Sequence, residues 1–182
     1  MQVETQHNSV FMKPNGVPKN EYSSFNATYI GAAGTDDLIK GLENGSNQMV
    51  SFIFSVPVGK LEYRYLDGKW TIKDIIQHII DAERIFSYRA LRISRNDKTP
   101  LAGFEENCYV DNTNANTRDI EDLLTELVAV RQSTVLLFKS FSEEQLGKIG
   151  MASDNPISVR AIGFIIIGHQ KHHLRIIEER YL

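Results

Sequence analysis

The chain has 182 residues, 42% of them hydrophobic and 24% charged, with a formal net charge of −3. That is enough for one domain with its own core and an ordinary globular balance. The mild acidity and scattered Lys and Arg argue against a nucleic-acid-binding surface, and a single cysteine, Cys108, excludes an intrachain disulfide and agrees with a reducing compartment.

Residues 1–10 are polar and lack the basic start and apolar run of a signal peptide. The longest apolar run, 161–168, is far too short for a membrane span. A cytoplasmic protein is the expectation. Residues 1–34 are rich in Asn, Ser, Gly and Pro and read as an extended arm with a short turn of helix over 22–29. Tyr22, Phe25, Tyr29 and Ile30 are apolar anchors, so the arm (1–33) is expected to pack on the domain that follows (34–182).

A first helix is predicted over 35–54, capped by Thr35 or Asp36, with Leu38, Leu42, Met49, Phe52 and Ile53 on its apolar positions. Asn44-Gly45 interrupts it with two poor helix formers, and Pro57 ends it. Residues 58–66 have the look of an extended segment without a partner. Trp70-Thr71-Ile72-Lys73-Asp74 reads as a capping box, Thr71 the cap, opening a second helix to about Ser94. The loop 95–116 follows, with Pro100 and Gly103, and its length is of the kind often tied to function. A third helix spans about 118–141, Ser142 caps a short one to Leu146, and a last helix starts near Ser158 after Pro156. No repeat and no strong strand alternation is present, so the fold class is all-α, a helix bundle.

The chemistry-bearing segment is Gly168-His169-Gln170-Lys171-His172-His173. His169 and His173, four residues apart, lie within roughly 40° of each other on a helix and can reach one ion. Ile162, Ile165, Ile166, Ile176 and Ile177 fall on the same face, so both imidazoles are expected inside the apolar stripe, where they need partners. His78 sits near the apolar face of the second helix, by Ile75, Ala82, Ile85 and Phe86, and is a third candidate. Three neutral imidazoles favour zinc, nickel, iron or copper and leave coordination positions open. The rival reading is core histidines paired with carboxylates such as Asp81 or Glu83. His172, about 100° from His173, reads as a flank, and His7 as incidental.

Asp81, one turn beyond His78, could orient it or accept a proton, or be a solvated charge. Glu83-Arg84 and Arg89 fit ordinary helix ion pairs. Glu105 and Glu106 could line a pocket mouth. Cys108 has no base beside it in sequence, and a small buried role suits it better than a nucleophile's. There is no phosphate-binding glycine loop and no Gly-x-Ser-x-Gly elbow.

The run from Tyr65-Leu66-Asp67-Gly68-Lys69-Trp70-Thr71 through Gln77-His78-Ile79-Ile80-Asp81-Ala82-Glu83-Arg84 resembles the DinB-like family of four-helix-bundle metalloproteins. So do Pro100-Leu101-Ala102-Gly103-Phe104 and the close from Gly168-His169 to Tyr181-Leu182. The likeness covers about residues 20 to 182. It implies an up-down-down-up bundle, a divalent transition metal on His78, His169 and His173, and often a homodimer.

Two activities follow from the resemblance. In thiol-dependent transfer, a low-molecular-weight thiol would be activated at the ion, with Arg89 or Arg131 holding a carboxylate of that cofactor. In hydrolysis, an activated water would attack an ester, amide or similar bond, with Asp81 or Glu83 as general base. A non-catalytic metal-binding role in a stress response is the third reading.

Overall fold

The computed structural model describes residues 12–182. Residues 1–11 lie outside the described part, and with them the whole polar N-terminal stretch, including His7.

Two 3-10 turns, Pro14–Gly16 and Lys19–Glu21, lead into helix α1, Ser24–Ala32, whose cap Ser23 accepts a hydrogen bond from the Asn26 N–H. The predicted turn is thus a nine-residue helix. Helix α2 is Leu38–Ser55. Its cap is Asp37, not Thr35 or Asp36. Asp37 holds an extended backbone and its carboxylate accepts from the Lys40 N–H at 3.0 Å, whereas Asp36 is occupied by the Asn44 amide. The helix runs straight through Asn44-Gly45, because packing outweighs the weak local propensity. The segment 58–66 begins with a 3-10 turn, Val58–Lys60, instead of a strand.

Helix α3, Ile72–Ser94, opens with the expected capping box: Asp74 N–H donates to Thr71 Oγ1 at 3.0 Å and Thr71 N–H donates to Asp74 Oδ2 at 2.9 Å. The long loop is not structureless. It contains α4, Glu106–Asp111, and Cys108 on it is exposed, which corrects the buried role expected for that thiol. Helix α5, Ile120–Lys139, is followed by α6, Glu143–Leu146, with a capping box between Ser142 and Gln145. A hairpin that the sequence reading missed follows: β1, Ile149–Ala152, antiparallel to β2, Asn155–Ser158. Ser153 and Asp154 turn it with positive φ of 50° and 60°. Ser158 then caps α7, Val159–Arg180.

Four long helices make the bundle. α2 packs against α5 and α7, and α3 packs against the same two, so α2 and α3 are diagonal. Lys139 pairs with Glu43, which runs α5 antiparallel to α2. Arg84 with Glu126 and Ser87 with Thr134 run α5 parallel to α3. Tyr181 Oη donates to the Trp70 carbonyl, which sets α7 antiparallel to α3. The order is up-down-down-up. α1 lies along α7, tied by the buried Glu21 to Arg160 and by Lys171 Nζ to the Ala33 carbonyl.

The interior has two apolar clusters, one around Leu42, Ala90, Val135 and Ile167, the other around Met49, Ile80, Leu127 and Ile177. Along every one of the four helices, a polar layer falls between them: Gly45, Glu83, Arg131, and His169 with Gln170.

Candidate metal centre

α3 and α7 face each other antiparallel, and this brings His78 against His169 and His173 from opposite sides of one seam. His78 Nε2 lies 2.9 Å from His169 Nε2, and His173 Nε2 lies 3.1 Å from it. The three rings offer nitrogens that all lie within 4.8 Å of one another. A tetrahedral zinc site with bonds near 2.0–2.1 Å has donors about 3.3 Å apart, so the spacing is close to that of an ion-binding set.

Aromatic walls hold the rings. Trp70 lies over His78 at 4.8 Å and near-parallel to His173 at 6.3 Å; Tyr29 and Phe86 meet His169 edge-on at 5.3 and 5.9 Å. Burial pushes His78 down to about 4. His169 and His173 are well below the ordinary histidine value, through burial first and then through neighbouring histidines. At neutral pH all three are uncharged, the form that ligates.

The rival reading fails on geometry. Neither carboxylate reaches an imidazole. Asp81 accepts from Gln77 Nε2 at 3.0 Å and faces Arg84; burial raises its pKa. Glu83 takes Arg131 Nε and Nη2 in a two-pronged pair, both bonds 2.8 Å, with both side chains almost fully enclosed. Among the described residues, His173 Nδ1 is the buried side-chain polar atom left without a partner. At the centre of the cluster the Nε2 atoms meet one another and no carboxylate, with His169 Nε2 close to both of the others, and this donor chemistry fits a divalent transition metal.

Two cavities reach it. One, of about 280 Å³, touches His78 and His169 and is walled by Tyr29, Phe86, Phe104, Arg89 and the hairpin turn. The other, of about 260 Å³, touches His172 and His173 beside Trp70 and Tyr181. Glu106, at the start of α4, lines both. Its pKa is raised by burial and by Glu105.

Four expectations need restating. Asp81 and Glu83, expected to move a proton, line neither cavity. Arg131, expected to hold a cofactor carboxylate, is instead enclosed in the core, donating to Glu83, to Gln170 Oε1 at 2.8 Å and to the Leu42 carbonyl at 3.1 Å. Of the helix ion pairs expected for Glu83-Arg84 and Arg89, Arg84 makes one with Asp81 on its own helix and another with Glu126, whereas Glu83 turns to Arg131 on α5. Arg89 makes no ion pair among the described residues and lines the first cavity, its Nη2 donating to the Ala102 carbonyl and to Ser153 Oγ.

The family model of the DinB superfamily matches residues 42–177. The chain belongs to the DinB superfamily. The matched part includes all three histidines and leaves α1, with Tyr29, outside it. A relative from Oceanobacillus iheyensis, named "Putative metal-dependent hydrolase", is 25% identical over 138 residues, 75% of this chain and 79% of its own length. The Bacillus subtilis relative YfiT, under the same heading, is 22% identical over 148 residues, 79% of this chain and 82% of its own. The solved structure of YfiT, described as "a probable metal-dependent hydrolase with an unusual four-helix bundle topology", matches with a TM-score of 0.71 at 17% identity over 90% of both chains. That likeness establishes the DinB fold.

Residues the sequence reading did not assign to the DinB site are Tyr29, Phe104, Ser153 and Asn155. Tyr29 carried a signal as an aromatic in the arm. Ser153 and Asn155 belong to the missed turn.

Proposed function

We propose that this chain is a metal-dependent hydrolase of a small molecule, with its divalent ion on His78, His169 and His173. The observation that carries the reading is the convergence of three neutral imidazoles, two buried and one half-buried, that no carboxylate satisfies. The names of the two relatives support it. A divalent ion supplies Lewis acidity, polarising a carbonyl or phosphoryl oxygen and acidifying water.

The chain's own groups do the rest. Tyr29, Phe86 and Trp70 exclude bulk water and keep the rings fixed. Glu106, reaching both cavities with a raised pKa, replaces Asp81 and Glu83 as the group that accepts a proton. A low-molecular-weight thiol would use the same histidines and cavity for transfer, but no described residue selects a thiol.

The test begins with bound metal, measured by elemental analysis on wild type and on His78→Ala, His169→Ala and His173→Ala. Near-stoichiometric metal in wild type, lost in each variant, is expected. The loaded protein is then assayed on ester, amide and phosphoester panels, with Glu106→Gln expected to lower turnover ~100-fold or more. Full metal content with no hydrolysis anywhere on the panels would sink hydrolysis. Formation of a thiolate-to-metal band by the cobalt-substituted protein would then favour thiol transfer.

A further inference from the structure

Arg89 is a buried cation, 5% exposed, with no carboxylate partner among the described residues. An unpaired charge in a protein interior is costly, so such groups are retained where something neutralises them. Burial lowers its pKa and no neighbouring acid acts to raise it. Its two hydrogen bonds run through Nη2 to neutral acceptors, Ala102 O at 2.7 Å and Ser153 Oγ at 3.1 Å. Those contacts fix the guanidinium, and its remaining N–H groups donate to no described residue.

The placement is directional. Arg89 lies eleven positions after His78 on α3, about three turns, so both fall on one face roughly 16 Å apart along the axis. Ala82 and Phe86, between them on the same face, line the same cavity. The acid in that lining, Glu106, also lines the second cavity beside His172 and His173, which puts it at the histidine end. The cavity thus runs from imidazoles, past an apolar floor, to a positive end.

We propose that the substrate carries a carboxylate, separated from its reacting group by a short apolar spacer, and that Arg89 receives it. A guanidinium suits a carboxylate through two parallel N–H···O bonds. The proposal rests on the reading above in one respect: the histidines are taken as the reacting end.

The test titrates zinc-loaded protein by calorimetry with monohydroxamates of succinic, glutaric, adipic and pimelic acid, and with the same hydroxamates whose far acid is an amide. For at least one length the acid should bind tenfold or more tighter than its amide. In Arg89→Gln that preference should fall within twofold while the amide keeps its affinity, and Arg89→Lys should fall between. Equal binding of acid and amide at every length in wild type overturns the proposal, as does a preference that survives in Arg89→Gln. Should the protein hold no zinc, the metal reading fails by itself. The subsite is then judged on the metal-free protein with hexanoate against hexanamide: a preference for hexanoate that Arg89→Gln lacks upholds it, and its absence overturns it.

Discussion

The carbonyl oxygen of Tyr29 occupies the space that a side chain on Gly168 would need. A Cβ built there would lie 1.7 Å from that oxygen and 2.5 Å from its carbon. α1 therefore meets α7 backbone to backbone, one residue before His169, and this contact sets the Tyr29 ring against the imidazole. Gly168→Ala can be accommodated only if α1 moves, since backbone has no rotamer to yield. A loss of stability of about 1–3 kcal/mol is expected, with faster proteolysis in residues 12–33. Wild-type resistance in that segment would refute the contact.

Glu83 and Arg131 form a pair almost fully enclosed by the protein. Removing one partner strands the other's charge. Glu83→Gln and Arg131→Met should each cost about 3–5 kcal/mol in urea unfolding, and Glu83→Leu with Arg131→Met should recover much of it. Gly45→Ala should also destabilise, because its Cβ would stand 2.3 Å from Arg131 Nη1 and 3.2 Å from Gln170 Oε1. Additive losses in the double variant would contradict the pairing.

Acid should loosen the arm. Burial pushes the Glu21 carboxyl up, but hydrogen bonds from Arg160 and Ser158 outweigh it and leave the pKa below the ordinary 4.5. The unfolded chain therefore takes up the proton first as pH falls. The contribution is present in full above about 4.5 and is lost as pH drops through the lower folded value. Urea midpoints from pH 7 to 3 should show wild type losing its advantage over Glu21→Gln below pH 4.5. A constant difference would count against the pair.

Metal should stabilise by mass action. With zinc at a hundredfold excess over its dissociation constant, unfolding should become harder by about 2.7 kcal/mol. A chelator should reverse the gain, and His169→Ala should show none. An equal gain in that variant would place the ion elsewhere.

The long helices, the capping box at Thr71, the cap at Ser142 and the facing of His169 and His173 were legible because they are local. Each depends on spacing within one helix or on a side chain three residues from its cap. The partner of Glu83 was not legible, since a charge on a helix says nothing about the residue 48 positions away that will enclose it. The use of Gly45 was hidden for the same reason: in a helix that forms despite Asn44-Gly45, the glycine makes room for Arg131 and Gln170. The hairpin escaped because four-residue strands show no alternation to count, and Arg89 fitted either a helix ion pair or a holder of a cofactor carboxylate, because nothing local shows that the loop and the turn close over it.

The diagonal placement of α2 and α3 divides the bundle by purpose. The histidine-bearing seam belongs to α3 and α7, while α2 and α5 meet on the opposite side through contacts such as Glu43 with Lys139. Exposed positions along that far seam can be rebuilt for robustness, or drift freely, while the chemistry on the near one keeps its shape; the Glu83–Arg131–Gln170 layer is the hinge at which that independence ends.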